Sequence, residues 1–325
     1  MEETIVRKIA EAANNVKASV ERVIVGKGAV VELSIIALLC EGHILFEDVP
    51  GLGKTQLAKS LAKSLGCSFR RIQCTPDLLP SDITGTYIFN QKNSDFEFRA
   101  GPIMSQVVLA DEINRATPRT QSALLEAMQE RQITAEGETK LLPRPFLVMA
   151  TQNPIELEGT FPLPEAQLDR FLMKIQVGYP SAEDDRLILS RFRRSDPLEE
   201  LKPVIDAADL LKMQQDCRGV HVAADVEDYI IRVIHATRKH ASVELGASPR
   251  AMLALLNAAQ ALAAIRGRGF VIPDDVKYLL MPVLLHRIIT KSESRLHGHK
   301  AEQVLKDIIN TVAVPVEEEP AAGER

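Results

Sequence analysis

A chain of 325 residues, 46% of them hydrophobic, can bury a sizeable core, and its length suggests two domains. A net charge of -5 and a pI near 5.9 give no broad electrostatic pull on nucleic acid, and four tyrosines without a tryptophan leave few stacking platforms. No apolar run approaches the roughly 20 residues of a membrane span, and the chain opens on a charged, helix-like stretch over 2–22 rather than an apolar signal, so no span and a cytoplasmic location are expected.

In chain order, short apolar runs alternate with helical periodicity through the first half, the pattern of a parallel sheet flanked by helices. Strands are predicted over 43–47, 68–74, 107–110, 146–150 and 172–177, enough for one five-stranded sheet. Helices are predicted over 28–41, 54–65 and 118–131, the last with Thr117 as N-cap and Pro118 in the first turn. Beyond 179–181 the strand signals fade, and helices are predicted over 181–194, 206–217, 225–241, 249–266, 274–289 and 301–312, an all-helical second domain. The acidic segment 316–325 cannot bury a core and is expected to be disordered. The expected division is therefore 1–180, 181–315 and a tail. Cys40, Cys67, Cys74 and Cys217 show no Cys-x-x-Cys spacing and are read as buried, reduced thiols.

The segment 48–55, Asp-Val-Pro-Gly-Leu-Gly-Lys-Thr, follows an apolar strand and opens a helix, the context a phosphate-binding loop requires. Glycines let the backbone turn its N–H groups inward on a phosphate, and the next helix presents its positive end to the anion. Lys54 is expected to neutralise the β and γ phosphates, and Thr55 to place its hydroxyl on magnesium. The full pattern wants glycine where Asp48 stands; Asp tolerates the left-handed conformation better than most residues.

The apolar run 107–110 ends in Asp111 and Glu112, which sets a carboxylate pair at the carboxyl edge of the sheet. Asp111 is expected to hold the magnesium ion, and Glu112 to orient and polarise the attacking water. Where the strand over 146–150 ends, Asn153 offers an amide that can bond both a phosphate oxygen and that water, the role of a γ-phosphate sensor.

These residues resemble the AAA+ ATPases, and within them the MoxR group. The resemblance runs from Ile24 to about Ile289 and rests on 47–55, 110–115 (Ala-Asp-Glu-Ile-Asn-Arg), 150–154 (Ala-Thr-Gln-Asn-Pro), 163–171 (Leu-Pro-Glu-Ala-Gln-Leu-Asp-Arg-Phe) and 246–250 (Gly-Ala-Ser-Pro-Arg). It implies a P-loop α/β nucleotide-binding domain with a C-terminal helical lid, assembled as a hexameric ring with ATP and Mg2+ between neighbours. Val25 and Gly26 look like the segment packing on adenine, Arg170 like an arginine finger for the neighbouring site, and Arg250 like a lid residue sensing phosphate in its own site. The nucleotide-binding set implied is Val25, Gly26, Pro50, Gly51, Leu52, Gly53, Lys54, Thr55, Gln56 and Arg250; Glu112, Asn153 and Arg170 are catalytic, and Thr55 and Asp111 serve the metal. The stretch 77–102 resembles an insertion, and 131–145 a hairpin with Gly137 in its turn, that face a pore or partner in related rings.

The resemblance further implies an ATP hydrolase that remodels or matures a protein client, with metal insertion and von Willebrand factor A domain partners as family traits. Two alternatives stand beside it. A DNA-acting motor of the same architecture is disfavoured by the acidic pI, and a nucleotide-gated scaffold with little turnover by the presence of Glu112, Asn153 and Arg170.

Overall fold

The computed structural model describes residues 2–155, 159–193, 195–292 and 300–315; the tail expected over 316–325 lies outside them. Helix α1 (Glu3–Glu21) buries Val6, Ile9, Ala13, Val16 and Val20, a spacing of three and four that makes one apolar stripe. Helix α2 (Gly28–Leu39) is apolar on nearly every face, as befits a helix buried beneath others. Then come β1 (Ile44–Glu47), α3 (Lys54–Ser64), β2 (Phe69–Gln73), the short α4 (Pro80–Thr84), a hairpin of β3 (Gly85–Asn90) with β4 (Asp95–Ala100), and β5 (Val107–Asp111). A 3-10 turn, Ile113–Arg115, leads to α5 (Pro118–Glu130), a second hairpin of β6 (Gln132–Ala135) with β7 (Glu138–Leu141), β8 (Leu147–Gln152), α6 (Glu165–Leu168) and β9 (Met173–Ile175). Thr117 starts α5 but makes no capping bond to its backbone; its hydroxyl pairs with that of Thr120 at 3.2 Å.

The five core strands form one parallel sheet in the order β2-β5-β8-β1-β9, with Val108 beside Val148 and Leu45 beside Ala150 in register. Both faces of the central strands are covered, so β1, β5 and β8 read as continuous apolar runs, whereas β2 at the sheet edge (Phe-Arg-Arg-Ile-Gln) exposes Arg70, Arg71 and Gln73. Alternate residues divide between two cores. Ile44, Phe46, Val107, Leu109, Leu147 and Met149 face α1, α2 and α3, whereas Leu45, Val108, Ala110, Val148 and Ala150 face α5. Behind β1, His43 accepts from the Val148 N–H on Nδ1 and so carries its proton on Nε2, 3.0 Å from the Met128 carbonyl. Burial pushes its pKa down from 6.5 to about 4.

The second half comprises α7 (Ala182–Phe192), α8 (Pro197–Glu200), α9 (Ala207–Cys217), α10 (Ala224–Lys239), α11 (Pro249–Ile265), α12 (Pro273–Leu284) and α13 (Ala301–Thr311). It is not wholly helical. Strands β10 (Val243–Leu245) and β11 (Ile289–Thr290) pair antiparallel within it, a contact between segments too short and too far apart in sequence to signal itself. Nor does the packing divide at residue 180. The core beneath α1 and α2 runs on without a break into α9, α10, α11 and α12, and Gln214 of α9 donates to the Leu38 carbonyl of α2 at 2.7 Å. The four cysteines are free, but only Cys74 and Cys217 are buried; Cys40 and Cys67 are half-buried. Desolvation raises all four thiols, Cys67 to about 11 and Cys74 and Cys217 to about 12, which leaves them poor nucleophiles.

Candidate functional site: a nucleotide pocket at the carboxyl edge of the sheet

Strand β1 delivers the loop 48–53 to the carboxyl edge of the sheet, and α3 begins at Lys54 directly behind it. Gly51 and Gly53 have φ of +85° and +81° with open space where a Cβ would stand, so their requirement is the left-handed backbone and not room. Asp48 needs no such tolerance, since its φ lies outside that region. The pocket here is lined by Asp48, 50–56, Arg71, Asp111, Glu112, Thr151 and Asn153, which brings together Pro50, Gly51, Leu52, Gly53, Lys54, Thr55, Gln56, Asp111, Glu112 and Asn153 of the expected set. Lys54 is buried, and its ammonium donates to the carbonyls of Asp48 at 2.8 Å and Val49 at 3.1 Å. Desolvation lowers its pKa, opposed by Asp48, Asp111 and Glu112, so three carboxylates help hold the charge that a phosphate needs.

The carboxylate pair is fixed by groups the sequence did not single out. Thr151, buried at the end of β8, donates its hydroxyl to Asp111 Oδ1 at 2.6 Å and accepts the Glu112 N–H at 2.8 Å. Glu112 has φ +57°, an unusual conformation for glutamate, and the Thr151 bond is what holds it there. Arg71 of β2 donates to Asp111 Oδ2 at 2.6 and 3.1 Å, while Gln73 Nε2 donates to Glu112 Oε2 at 3.2 Å and Arg115 lies 3.5 Å from the same oxygen. Asn153 follows β8, and its Oδ1 accepts the Ile155 N–H at 3.1 Å.

The donor set fits a magnesium ion. Thr55 and Asp111 offer a hydroxyl and a carboxylate to one pocket, and among the described residues no group of three or more His, Cys, Asp or Glu converges on a metal. That is the arrangement for a hard cation held by one or two protein oxygens with phosphate and water completing its shell.

A second, largely apolar pocket adjoins the first, lined by Val23, Ile24, Val25, Gly51, Gln56, Pro180, Ile188 and Phe192 among others. It unites the segment before α2, the phosphate loop and α7. Val25 belongs to its wall. Gly26 abuts it with φ +70°, a left-handed backbone that favours glycine, and a Cβ there would stand 2.3 Å from the Asp184 carboxylate at the start of α7. Ile188 and Phe192 lie about 160 residues beyond Val25 in sequence and carried no signal of this role.

Arg170 and Arg250 line neither pocket. They neighbour one another through Asp169, whose carboxylate accepts from Arg287 Nε at 2.7 Å and Ser248 Oγ at 3.3 Å and lies 4.0 Å from Arg250 Nη1. Arg287 is buried and also donates to the carbonyls of Asp169, Phe171 and Leu172, clamping the second half of the chain to the strap before β9. The Arg170 side chain is half-buried and makes no hydrogen bond or ion pair with the described residues.

A parallel sheet with a glycine-turned phosphate loop after β1, an Asp-Glu pair after β5, a polar residue after β8 and a following helical region defines the AAA+ class of P-loop ATPases. Residues 43–173 match the family of ATPases associated with various cellular activities, and 235–308 match the AAA lid domain. A Bacillus subtilis protein called uncharacterized protein YeaC is 51% identical over 298 residues, covering 92% of this chain and 93% of that one. Chaperone MoxR1 of Mycobacterium tuberculosis is 46% identical over 305 residues, covering 91% and 80%. A Cytophaga hutchinsonii protein solved as a candidate ATPase superposes with a TM-score of 0.91 at 38% identity over 97% of this chain and 98% of that one. The chain belongs to the MoxR family of AAA+ ATPases.

Proposed function

We propose that this protein binds ATP with Mg2+ at the phosphate loop and hydrolyses it as a ring, the Glu112 carboxylate activating water. The observation that carries this reading is the hold on Glu112: Thr151 fixes its backbone and Gln73 its carboxylate, in the pocket that Lys54, Thr55, Asp111 and Asn153 share. Magnesium, when bound, neutralises charge between the phosphates. Lys54 leaves two carbonyls for the phosphates, Glu112 accepts the proton of water, and Asn153 orients that water. Arg170, without a side-chain partner among the described residues and outside its own pocket, acts on the neighbour's γ phosphate in a hexameric ring. Arg250 shares that face through Asp169, which favours a role at the same interface over sensing phosphate in its own site.

The work done is remodelling or maturation of a protein client, as the name of the chaperone relative suggests, and its proposed place is the cytoplasm. Metal insertion and von Willebrand factor A domain partners remain part of this proposal. The β3–β4 hairpin, with Phe89 and Phe96 in contact and exposed at its end, offers a surface for the client. No helix among the described residues is long and apolar enough to cross a membrane.

Steady-state turnover of Mg-ATP by the wild type and Glu112→Gln tests the reading. The amide keeps the shape and loses the base, so the variant binds ATP yet turns over at least ~100-fold more slowly. Near-normal turnover by Glu112→Gln contradicts it.

A further inference from the structure

Asp48 stands at the first position of the phosphate loop, where the motif wants glycine. Its carboxylate accepts three backbone N–H groups: Val177 and Gly178 both reach Oδ2 at 2.7 Å, and Val49 reaches Oδ1 at 3.1 Å. Such charge-assisted bonds are roughly twice as strong as neutral ones. Val177 and Gly178 are the chain's exit from β9, only a few residues before α7 begins at Ala182. The same exit is held on the far side by Lys27 Nζ, which donates to the Tyr179 carbonyl at 2.8 Å, and Asp184 in the first turn of α7 packs on Gly26.

The backbone of Asp48 is bound from the other direction. Its carbonyl takes the Lys54 ammonium at 2.8 Å. A phosphate in the loop draws that ammonium away, and the residue that loses it is the one whose carboxylate grips the strap 177–178. The strap can respond, because Gly178 has φ +68° and nothing within 4 Å of where a Cβ would stand. Helix α7, next along the chain, supplies Ile188 and Phe192 to the apolar pocket.

We propose that Asp48 is a positioning residue that transmits occupancy of the phosphate loop to the strap 177–180, and through it to α7. This rests on the reading of the loop as an ATP site. Two discrete ends of one residue, one facing Lys54 and one facing the strap, supply the coupling between nucleotide and lid that such a transmission requires.

The test is amide hydrogen exchange on the full chain, wild type, Asp48→Asn and Asp48→Gly, without nucleotide and with saturating magnesium and a slowly hydrolysed ATP analogue. Without nucleotide, peptides containing Val177 and Gly178 exchange about tenfold faster in Asp48→Gly than in wild type, with Asp48→Asn between them. With analogue, α7 changes protection in the wild type, in part in Asp48→Asn, and little in Asp48→Gly even at saturation. Turnover follows the same order, with kcat falling more than KM rises. If Asp48→Gly does not fold, the intermediate response of Asp48→Asn carries the comparison. A full α7 response in the variants, with a wild type that binds and responds, overturns this inference alone. A wild type that binds no nucleotide overturns the ATP reading and this inference with it.

Discussion

Replacing Thr151 with valine keeps the volume at the end of β8 and removes a single hydroxyl. That hydroxyl makes two bonds in a buried place, donating to Asp111 at 2.6 Å and accepting from the Glu112 N–H at 2.8 Å. Losing a bond to a carboxylate costs about 1.5–3 kcal/mol, and leaving a buried N–H unpaired costs about 1–3 kcal/mol. Some relaxation returns part of this, so Thr151→Val should destabilise the fold by about 3 kcal/mol. The same change frees Glu112 from its left-handed backbone, and each 1.36 kcal/mol of lost positioning is about tenfold in rate. Urea unfolding followed by circular dichroism, with ATP turnover measured alongside, reads both effects. Thr151→Ser, which keeps the hydroxyl, should retain most of each. A Thr151→Val protein with the wild-type midpoint and turnover within about twofold of wild type would refute the role given to this hydroxyl.

Lys54→Ala should lose at least ~10-fold in ATP affinity, the equivalent of one charge-assisted bond, while folding normally, because the side chain it removes is a desolvated cation resting on two carbonyls; titration with a fluorescent ATP analogue checks it, and unchanged affinity contradicts it. Stability should fall with acid in a defined window. His43 is neutral in the fold with a pKa of about 4 against 6.5 when exposed, so the unfolded chain binds a proton that the fold refuses, and stability, complete above 6.5, is lost as pH drops toward 4. That difference amounts to about 2 kcal/mol at pH 5, and His286, lowered by the same burial, acts in the same direction. Urea midpoints at pH 7.5 and 5 should differ accordingly, and His43→Asn should flatten the difference; a wild-type midpoint indifferent to this change contradicts it.

Much of the fold was legible because the central strands β1, β5 and β8 are buried on both faces and announce themselves as apolar runs, as in 107–110 and 146–150. The hairpin β3–β4 was not read as strands. Its Thr86, Ile88 and Phe89 are exposed, so no burial pattern distinguishes it from a loop. Within the site, Lys54, Thr55, Asp111 and Glu112 stand in contiguous motifs and could be read, whereas Arg71 and Gln73 act from a neighbouring strand where nothing local marks them, and Thr151, though inside the motif 150–154, shows its role only across the strand pair. Lys54, read from its motif as a phosphate-neutralising cation, is also buried. Asp48 looked like a tolerated deviation in backbone; its place is explained by amides 129 and 130 residues further along the chain.

The most direct test of the central claim, hydrolysis at an interface completed by a neighbour, uses two inactive proteins. Arg170→Ala should bind ATP and hydrolyse almost none, since an arginine finger is worth on the order of 10³ to 10⁵ in rate. Glu112→Gln should be equally inactive but still carries an intact Arg170. Mixed under conditions in which fluorescence transfer between labelled chains shows that subunits exchange, the pair forms some interfaces with both the Glu112 of one chain and the Arg170 of the other, and ATPase activity should return. Exchange without any recovered activity would contradict an Arg170 that works across the interface.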